Sequence, residues 1–236
     1  MTMKKFGIIG YPVSNAMSPV LFKAAYHGKF GYDRIESPDF EEAWNIFMEG
    51  YHAVNVTMPF KMLAAERADI KAPEVEATGA ANILVKTCAG IEAHNSDYLG
   101  VKAILSELKE EIRTAAVIGT GGAGRAAAYA AESCGFKTSV YHHDEISDGV
   151  EADLIIYCLP KATEGIDKVR CKVLLEANYK DPCLSQMPGI GRYIHGRTWL
   201  IRQATEGYLI MSGEEPDKDA ILESEKNLYI AKPTAQ

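Results

Sequence analysis

Ala115-Ala116-Val117-Ile118-Gly119-Thr120-Gly121-Gly122-Ala123-Gly124-Arg125 is the stretch on which the architecture turns. Four apolar residues with the composition of a buried strand run straight into a glycine turn, and an alanine-rich stretch from Arg125 to Cys134 reads as a helix. The turn fits G-x-G-x-x-G in the one setting that gives the pattern meaning, between a strand and a helix. Gly119 would permit the tight turn, Gly121 the approach of backbone to a pyrophosphate, and Gly124 the packing of helix on strand. The helix N-terminus would add free N–H donors and the positive end of its dipole. A dinucleotide site is the sharper reading; a plain glycine-rich turn is the other.

The next strand, Lys137 to Tyr141, should carry at its end the residue that reads the adenosine ribose. It is followed by His142-His143-Asp144. An acidic side chain there accepts hydrogen bonds from a ribose diol, as in NAD binders, whereas an arginine would pair with the 2′-phosphate of NADP. No arginine is present. A histidine can stack on adenine or contact a phosphate, and adjacent histidines are as often turn residues, so these residues leave the cofactor open. Only about ten residues separate Asp144 from the apolar run Leu154-Ile155-Ile156-Tyr157-Cys158-Leu159, near the lower limit for a parallel crossover with its helix. One wall of the nucleotide domain is expected to be trimmed.

Upstream, short β-branched runs alternate with helical stretches, the signature of an α/β fold. Strands are expected near Lys5 to Ile9, Ala53 to Thr57, Ile83 to Lys86 and Ile91 to His94. Helices are expected near Ser18 to Lys29, Phe40 to Glu49, Pro59 to Asp69 and Asp97 to Glu110.

Within this series Asn55-Val56-Thr57-Met58-Pro59-Phe60-Lys61 places a lysine just past a strand-to-helix corner. Pro59 suits a helix's first turn, and Asn55 and Thr57 stand near backbone ends where short polar side chains cap or bind. Lys61 is either a solvated lysine on a capped helix or a working residue. Its candidate partner is Asp97, in His94-Asn95-Ser96-Asp97-Tyr98-Leu99-Gly100, at the start of the helix leading into the nucleotide domain. An aspartate there is ordinarily a cap or dipole partner. A lysine and a carboxylate sharing one substrate hydroxyl would pass its proton while hydride leaves the same carbon.

Composition excludes other classes. The chain has 236 residues, 47% hydrophobic and 24% charged, enough for one large core or two small ones. A formal charge of -7 and a pI near 5.4 give no basic field for nucleic acid. No apolar run reaches membrane-spanning length, and the Met1-Thr2-Met3-Lys4-Lys5 start leads only into a short apolar strand, so no membrane partner and a cytoplasmic location are expected. Cys88, Cys134, Cys158, Cys171 and Cys183 are scattered and lack a CxxC pair, which argues against a disulfide frame or a zinc site.

Taken in order, the motifs resemble those of the shikimate dehydrogenase family. Gly10 to Pro19 (GYPVSNAMSP) resembles its G-N-P-I-x-H-S-x-S-P opening, and Asn55 to Lys61 reproduces N-V-T-x-P-F-K. Gly79 to Leu84 resembles G-A-V-N-T-L, and Asn95 to Gly100 resembles N-T-D-G-x-G. The glycine turn resembles G-A-G-G-A, Glu176 to Tyr179 a D-x-x-Y segment, and Gly196 to Ala204 the G-x-x-M-L-x-x-Q-A element.

The resemblance implies a split substrate-binding α/β domain, residues 1–98 and 197–236, around a Rossmann-like cofactor domain, residues 99–196, somewhat truncated. It implies reversible reduction of 3-dehydroshikimate to shikimate with NADP(H), with Lys61 and Asp97 as the catalytic pair. Asn82, Thr57 and Gln203 would hold ring hydroxyls, Ser18 with Ser14 would bind the carboxylate, and Tyr179 would join the substrate site. Gly119, Gly121, Gly122 and Ala123 would meet the pyrophosphate, with His142, His143, Asp144 and Gly196 completing the cofactor site. A monomer or homodimer acting on a small molecule is expected. The departures are Ala16 for the first serine of the carboxylate pair, with Ser14 or Tyr11 as the alternative source of a hydroxyl, His142-His143-Asp144 for N-R-T, and Tyr157-Cys158-Leu159 for N-A-T. They leave open NAD(H) in place of NADP(H), quinate or a related ring acid as substrate, and a non-catalytic ligand-binding relative.

Overall fold

A computed structural model describes residues 4–230, which divide into two compact units. The first takes the chain up to Ser96 and again from Ala204; the second is Asp97–Gln203.

The first unit is built on a six-stranded mixed sheet. Its strands are β1 (Lys5–Gly10), β2 (Gly31–Glu36), β3 (Ala53–Val56), β4 (Ile70–Lys71), β5 (Ile83–Thr87) and β6 (Gly90–His94), in the order β2-β1-β3-β5-β6-β4. Strands β2, β1 and β3 are parallel, whereas β5 runs antiparallel to both β3 and β6. Helices α1 (Ser18–Ala25), α2 (Phe40–Gly50), α3 (Lys61–Arg67) and α4 (Pro73–Thr78) connect them. Asp39 caps α2 by accepting from the amides of Glu41 and Glu42, and Phe40, Ala43, Trp44 and Phe47 then fall on one buried face. They pack with Ile9, Val54, Val56, Leu84 and Ala93 into one core. An aromatic group of Phe6, Phe22, Tyr26, Phe30, Tyr32 and Tyr208 forms a second nucleus, with Phe22 and Tyr32 ring centroids 4.7 Å apart.

The second unit holds a five-stranded, wholly parallel sheet of β7 (Thr114–Ile118), β8 (Lys137–Tyr141), β9 (Glu151–Tyr157), β10 (Arg170–Glu176) and β11 (Ile190–Ile194). Its order is β11-β10-β9-β7-β8: the chain enters at β7, steps out to the edge at β8, and returns on the other side through β9. The reversal makes the carboxyl ends of β7 and β9 the topological switch point, where open α/β sheets bind ligands. Helix α5 (Ser96–Ser106) leads in, α6 (Gly122–Ser133) joins β7 to β8, and α7 (Gly196–Ser212) follows β11. One sheet face is covered by helices: Ala126, Ala127, Ala130 and Ala131 of α6 bring that helix against Val117 and Ile156, with Val101, Leu105 and Trp199 alongside. The other face has Ile118, Ile155, Tyr157 and Leu174 covered by Ile146, Val150, Ile166, Val169 and Leu184, which lie on connections rather than α-helices. No helix joins β8 to β9, and a single 3-10 turn, Ile166–Lys168, lies between β9 and β10. The wall expected to be trimmed is thus a loop-covered face. Helix α8 (Lys218–Ile230) lies against α1, and among the described residues no helix is long and apolar enough to cross a membrane.

Several expectations need correction. The helix expected from Pro59 begins at Lys61 and ends at Arg67. Thr57 to Phe60 form a turn instead, closed by Phe60 N on Thr57 O at 3.0 Å, with a cis Met58–Pro59 peptide inside it. No side chain caps α3, and Asn55 is engaged elsewhere. Helix α1 stops at Ala25, because His27 and Gly28 take positive φ, and α5 stops at Ser106. Helix α6 begins at Gly122, ahead of Arg125. Strand β2 escaped notice because GYDRIE buries only Ile35.

Candidate functional site

In the second unit the candidate site is made chiefly of backbone. Gly119 has φ +115, a left-handed conformation that a side chain resists, and it follows directly on β7. A Cβ on Gly124 would lie 1.8 Å from the Gly119 carbonyl oxygen, so α6 starts against the loop only because that position is glycine. Gly121 and Gly122 differ: a Cβ on either meets no protein atom within 4 Å. Ala123 follows in the first turn of α6, whose opening amides face the same loop.

Beside this loop stands the end of β9. A Cβ on Gly119 would sit 3.3 Å from Cys158 Cβ and 3.2 Å from Leu159, and Cys158 N donates to Ile118 O at 2.8 Å. Desolvation pushes the Cys158 thiol up to about 12, and the Asp97 carboxylate adds to the rise. Asp97 is therefore within electrostatic reach of the switch point. It is half-buried in the first turn of α5, and its carbonyl accepts from Trp199 Nε1 at 3.0 Å.

Glycine also sets the position of Gln203. A Cβ on Gly100 would lie 2.7 Å from Gln203 N, so α5 and α7 touch at this pair. Among the described residues the buried Gln203 Oε1 has no hydrogen-bond partner. An orphaned buried acceptor is costly unless a ligand hydroxyl meets it. Gly196 opens α7 with its Cα against the end of β10, where a Cβ would be 2.6 Å from Ala177 O. Tyr179 lies half-buried two residues further along that connection.

His142, His143 and Asp144 follow β8 and are exposed. His142 Nδ1 lies 2.6 Å from Asp144 Oδ1, the two imidazole rings are 4.1 Å apart, and His142 N donates to Glu145 Oε2. The His142 ring holds the Asp144 carboxyl below its usual range.

In the first unit the candidate site is made of side chains on the connections after β1 and β3. These connections are tied together: Thr57 N donates to Ile9 O at 2.9 Å and Tyr11 N to Met58 O at 3.0 Å. Gly10, at φ +159, leaves room for Thr57 Cγ2, which would stand 2.4 Å from a Cβ. Lys61 is half-buried at the first position of α3, its carbonyl accepting from Ala81 N at 2.9 Å. Asn82 is buried at the entrance to β5, and its Oδ1 accepts from Ser96 N at 2.7 Å and Ser96 Oγ at 3.2 Å. With the oxygen so occupied, the carboxamide turns its N–H donors the other way. Ser14 is exposed on the first connection, whereas Ser18 is half-buried at the start of α1.

Two tyrosines that sequence reasoning passed over support these groups. Tyr32 OH donates to Asn55 Oδ1 at 2.7 Å, and Tyr208 OH donates to Ser18 O at 3.1 Å. Burial pushes both phenols up, so both stay protonated donors. Neither sits in a motif, and only the assembled sheet brings them to Asn55 and Ser18.

Residues 8–84 match the model of the shikimate dehydrogenase substrate binding domain. Among curated proteins, the NADP(+) shikimate dehydrogenase of Pyrococcus abyssi is 30% identical over 133 residues, 54% of this chain and 50% of that protein. The Halorubrum lacusprofundi counterpart is 36% identical over 154 residues, 58% of this chain and 55% of that protein. The chain spans about half the length of these curated relatives. A shikimate dehydrogenase of Sulfurisphaera tokodaii is matched over 93% of both chains at 22% identity. Among solved structures, shikimate 5-dehydrogenase of Thermus thermophilus in complex with NADP(H) and shikimate superposes with a TM-score of 0.81. It is 20% identical, with 95% of this chain and 99% of that one covered. A chorismate mutase/shikimate 5-dehydrogenase fusion protein from Clostridium acetobutylicum gives 0.82 at 22% identity, with 98% of each chain covered. Residues 8–84 thus resemble the substrate binding domain of shikimate dehydrogenases, and the chain shares the fold of the solved shikimate 5-dehydrogenases.

Proposed function

We propose that the chain is a shikimate dehydrogenase, interconverting 3-dehydroshikimate and shikimate with a nicotinamide cofactor, NADP(H) by the example of its relatives. The observation that carries this reading is the glycine loop at the switch point. Protein packing demands glycine at 119 and 124, but nothing in the protein occupies the space a side chain would take at 121 and 122. A pyrophosphate fits that space, with the opening amides of α6 as donors. Gly119, Gly121, Gly122 and Ala123 would hold it, with His142, His143 and Asp144 toward the adenosine and Gly196 near the end of β10.

In this reading the glycine loop binds the cofactor and the side chains named below bind the ring acid. A bound nicotinamide supplies the hydride to the ring carbonyl carbon. Lys61 and Asp97 handle the proton: in the reducing direction the ammonium gives one to the carbonyl oxygen, and the carboxylate orients the resulting hydroxyl. The Asn82 N–H donors, Thr57 and the orphaned Gln203 Oε1 hold ring hydroxyls, Ser14 and Ser18 take the carboxylate, and Tyr179 is a further substrate-binding residue. The enzyme works in the cytoplasm on small molecules.

One observation favours a second cofactor. His143 stands where an arginine would receive a 2′-phosphate, and beside it Asp144, paired to His142 at 2.6 Å, suits the diol of NAD(H). Initial rates on shikimate and quinate, each with NADP and NAD, test the reading. Turnover of shikimate is expected, with Lys61→Ala and Asp97→Ala each lowering kcat about 10²- to 10⁴-fold. A wild-type chain inactive in all four combinations, or both variants at full rate, would overturn it.

A further inference from the structure

Two side chains of one strand face clamp the connection between β1 and α1. Arg34 Nη2 donates to the Ala16 carbonyl at 3.2 Å, and Val13 N donates to Glu36 Oε2 at 2.8 Å. Tyr32, Arg34 and Glu36 alternate along β2 and so share a face. Tyr32, raised by burial and by the neighbouring Tyr208, is pulled the other way by the Ser18 hydroxyl and the Arg34 guanidinium. The guanidinium therefore lies against Ala16 and within electrostatic reach of Tyr32, on the stretch to which the ring-acid reading gives the substrate carboxylate.

Position 16 is where that stretch lacks a hydroxyl. Ala16 N closes a turn on Val13 O at 3.0 Å, with Ser14 inside it and Ser18 just beyond; by the family resemblance position 16 would carry a hydroxyl of the carboxylate pair, where this chain has a methyl group. Arg34 is exposed and makes no salt bridge among the described residues, and its contact with Ala16 O occupies one of five N–H donors. Glu36 is the opposing charge on this face, but its carboxylate is turned to Val13 N.

We infer that Arg34 is the carboxylate-recognition residue of this chain, pairing its guanidinium with the acid group of the substrate in place of the hydroxyl missing at Ala16. The inference rests on the ring-acid reading of the site. A planar guanidinium matches a carboxylate through two parallel N–H···O bonds, which a serine hydroxyl does not offer. The selectivity this creates is for a charged acid over a neutral ester or amide of the same ring.

Calorimetric titration of the full chain with shikimate and with its carboxamide separates pairing from mere clamping of the loop. Arg34→Gln is expected to raise the Kd for shikimate about 10- to 100-fold, leave the Kd for the carboxamide unchanged, and flatten the salt dependence of acid binding. Arg34→Lys should restore part of the loss. Equal losses for acid and amide would make Arg34 a loop clamp only and overturn the inference, as would unchanged acid binding in the variant. A wild-type chain that binds neither compound would overturn the ring-acid reading together with the inference, whereas wild-type binding with an indifferent variant overturns the inference alone.

Discussion

The two units build their candidate sites from different materials. In the first, the candidate groups are side chains on connections, several of them fixed by named partners: Asn82 by Ser96, Asn55 by Tyr32, and the Ser18 carbonyl by Tyr208. In the second, the candidate groups are chiefly backbone and empty space, shaped by which residues have no Cβ. A side-chain site fails when a donor or acceptor is removed. A backbone site fails when an atom is added.

The largest expected effect comes from adding an atom. Gly124→Ala drives a Cβ to 1.8 Å from Gly119 O, so about 3 kcal/mol of stability should be lost, read in a denaturant titration. Gly121→Ala is the control that sharpens the contrast. Its Cβ meets no protein atom, so stability should stay within about 1 kcal/mol while NADP binding weakens in a titration. Equal destabilisation by the two would erase the distinction between packing glycines and ligand glycines.

Removing an acceptor comes next. Asn82→Ala leaves the Ser96 amide buried without its partner, at a cost of about 1–3 kcal/mol. Thermal unfolding should record it. A neutral result would mean that the side-chain site is as tolerant as open space.

Alkaline titration tests the switch point itself. The Cys158 thiol is pushed from its usual 9.0 up to about 12 by desolvation and by Asp97, so the folded chain favours its protonated form. Stability from this group is full below pH 9 and is lost as the pH climbs toward 12. Comparing denaturation midpoints at about pH 8 and about pH 10.5, Cys158→Ala should show a shallower decline than wild type. Tyr157 and Cys171, also raised by burial, keep the decline from vanishing.

The smallest effect concerns the adenosine end. His143→Arg adds a permanent positive charge next to the Asp144–His142 pair, and the ratio of NAD to NADP Michaelis constants should shift about tenfold toward NADP. No shift would show that the residues after β8 do not read the ribose.

Legibility in the sequence followed the same division. The strand–turn–helix at 114–133 was readable because a glycine pattern between an apolar run and an alanine run has few other uses. The short gap after Asp144 announced the loop-covered sheet face, since nine residues between β8 and β9 leave no room for a helix. Strand β2 was not readable, because five of its six residues stay out of the buried class and its apolar pattern is faint. Its Tyr32 and Arg34 went unremarked for the same reason. The corner at Pro59 was read as helix because proline suits a first turn, and only the hydrogen bond from Phe60 to Thr57 shows that the chain turns once more before Lys61.

What the sequence by itself determined is the α/β class, the glycine turn between β7 and α6 and the resemblance to a known family, because turn glycines, apolar runs and ordered motifs are local properties. What only the tertiary structure decided is which distant residues meet. Gln203 reaches its place because Gly100, about a hundred residues earlier, lets α7 come close. Arg34 meets Ala16 because parallel pairing of β1 and β2 sets one strand face beside the connection that follows the other. Such meetings depend on register and on missing side-chain volume, and neither is written in any single stretch of the chain.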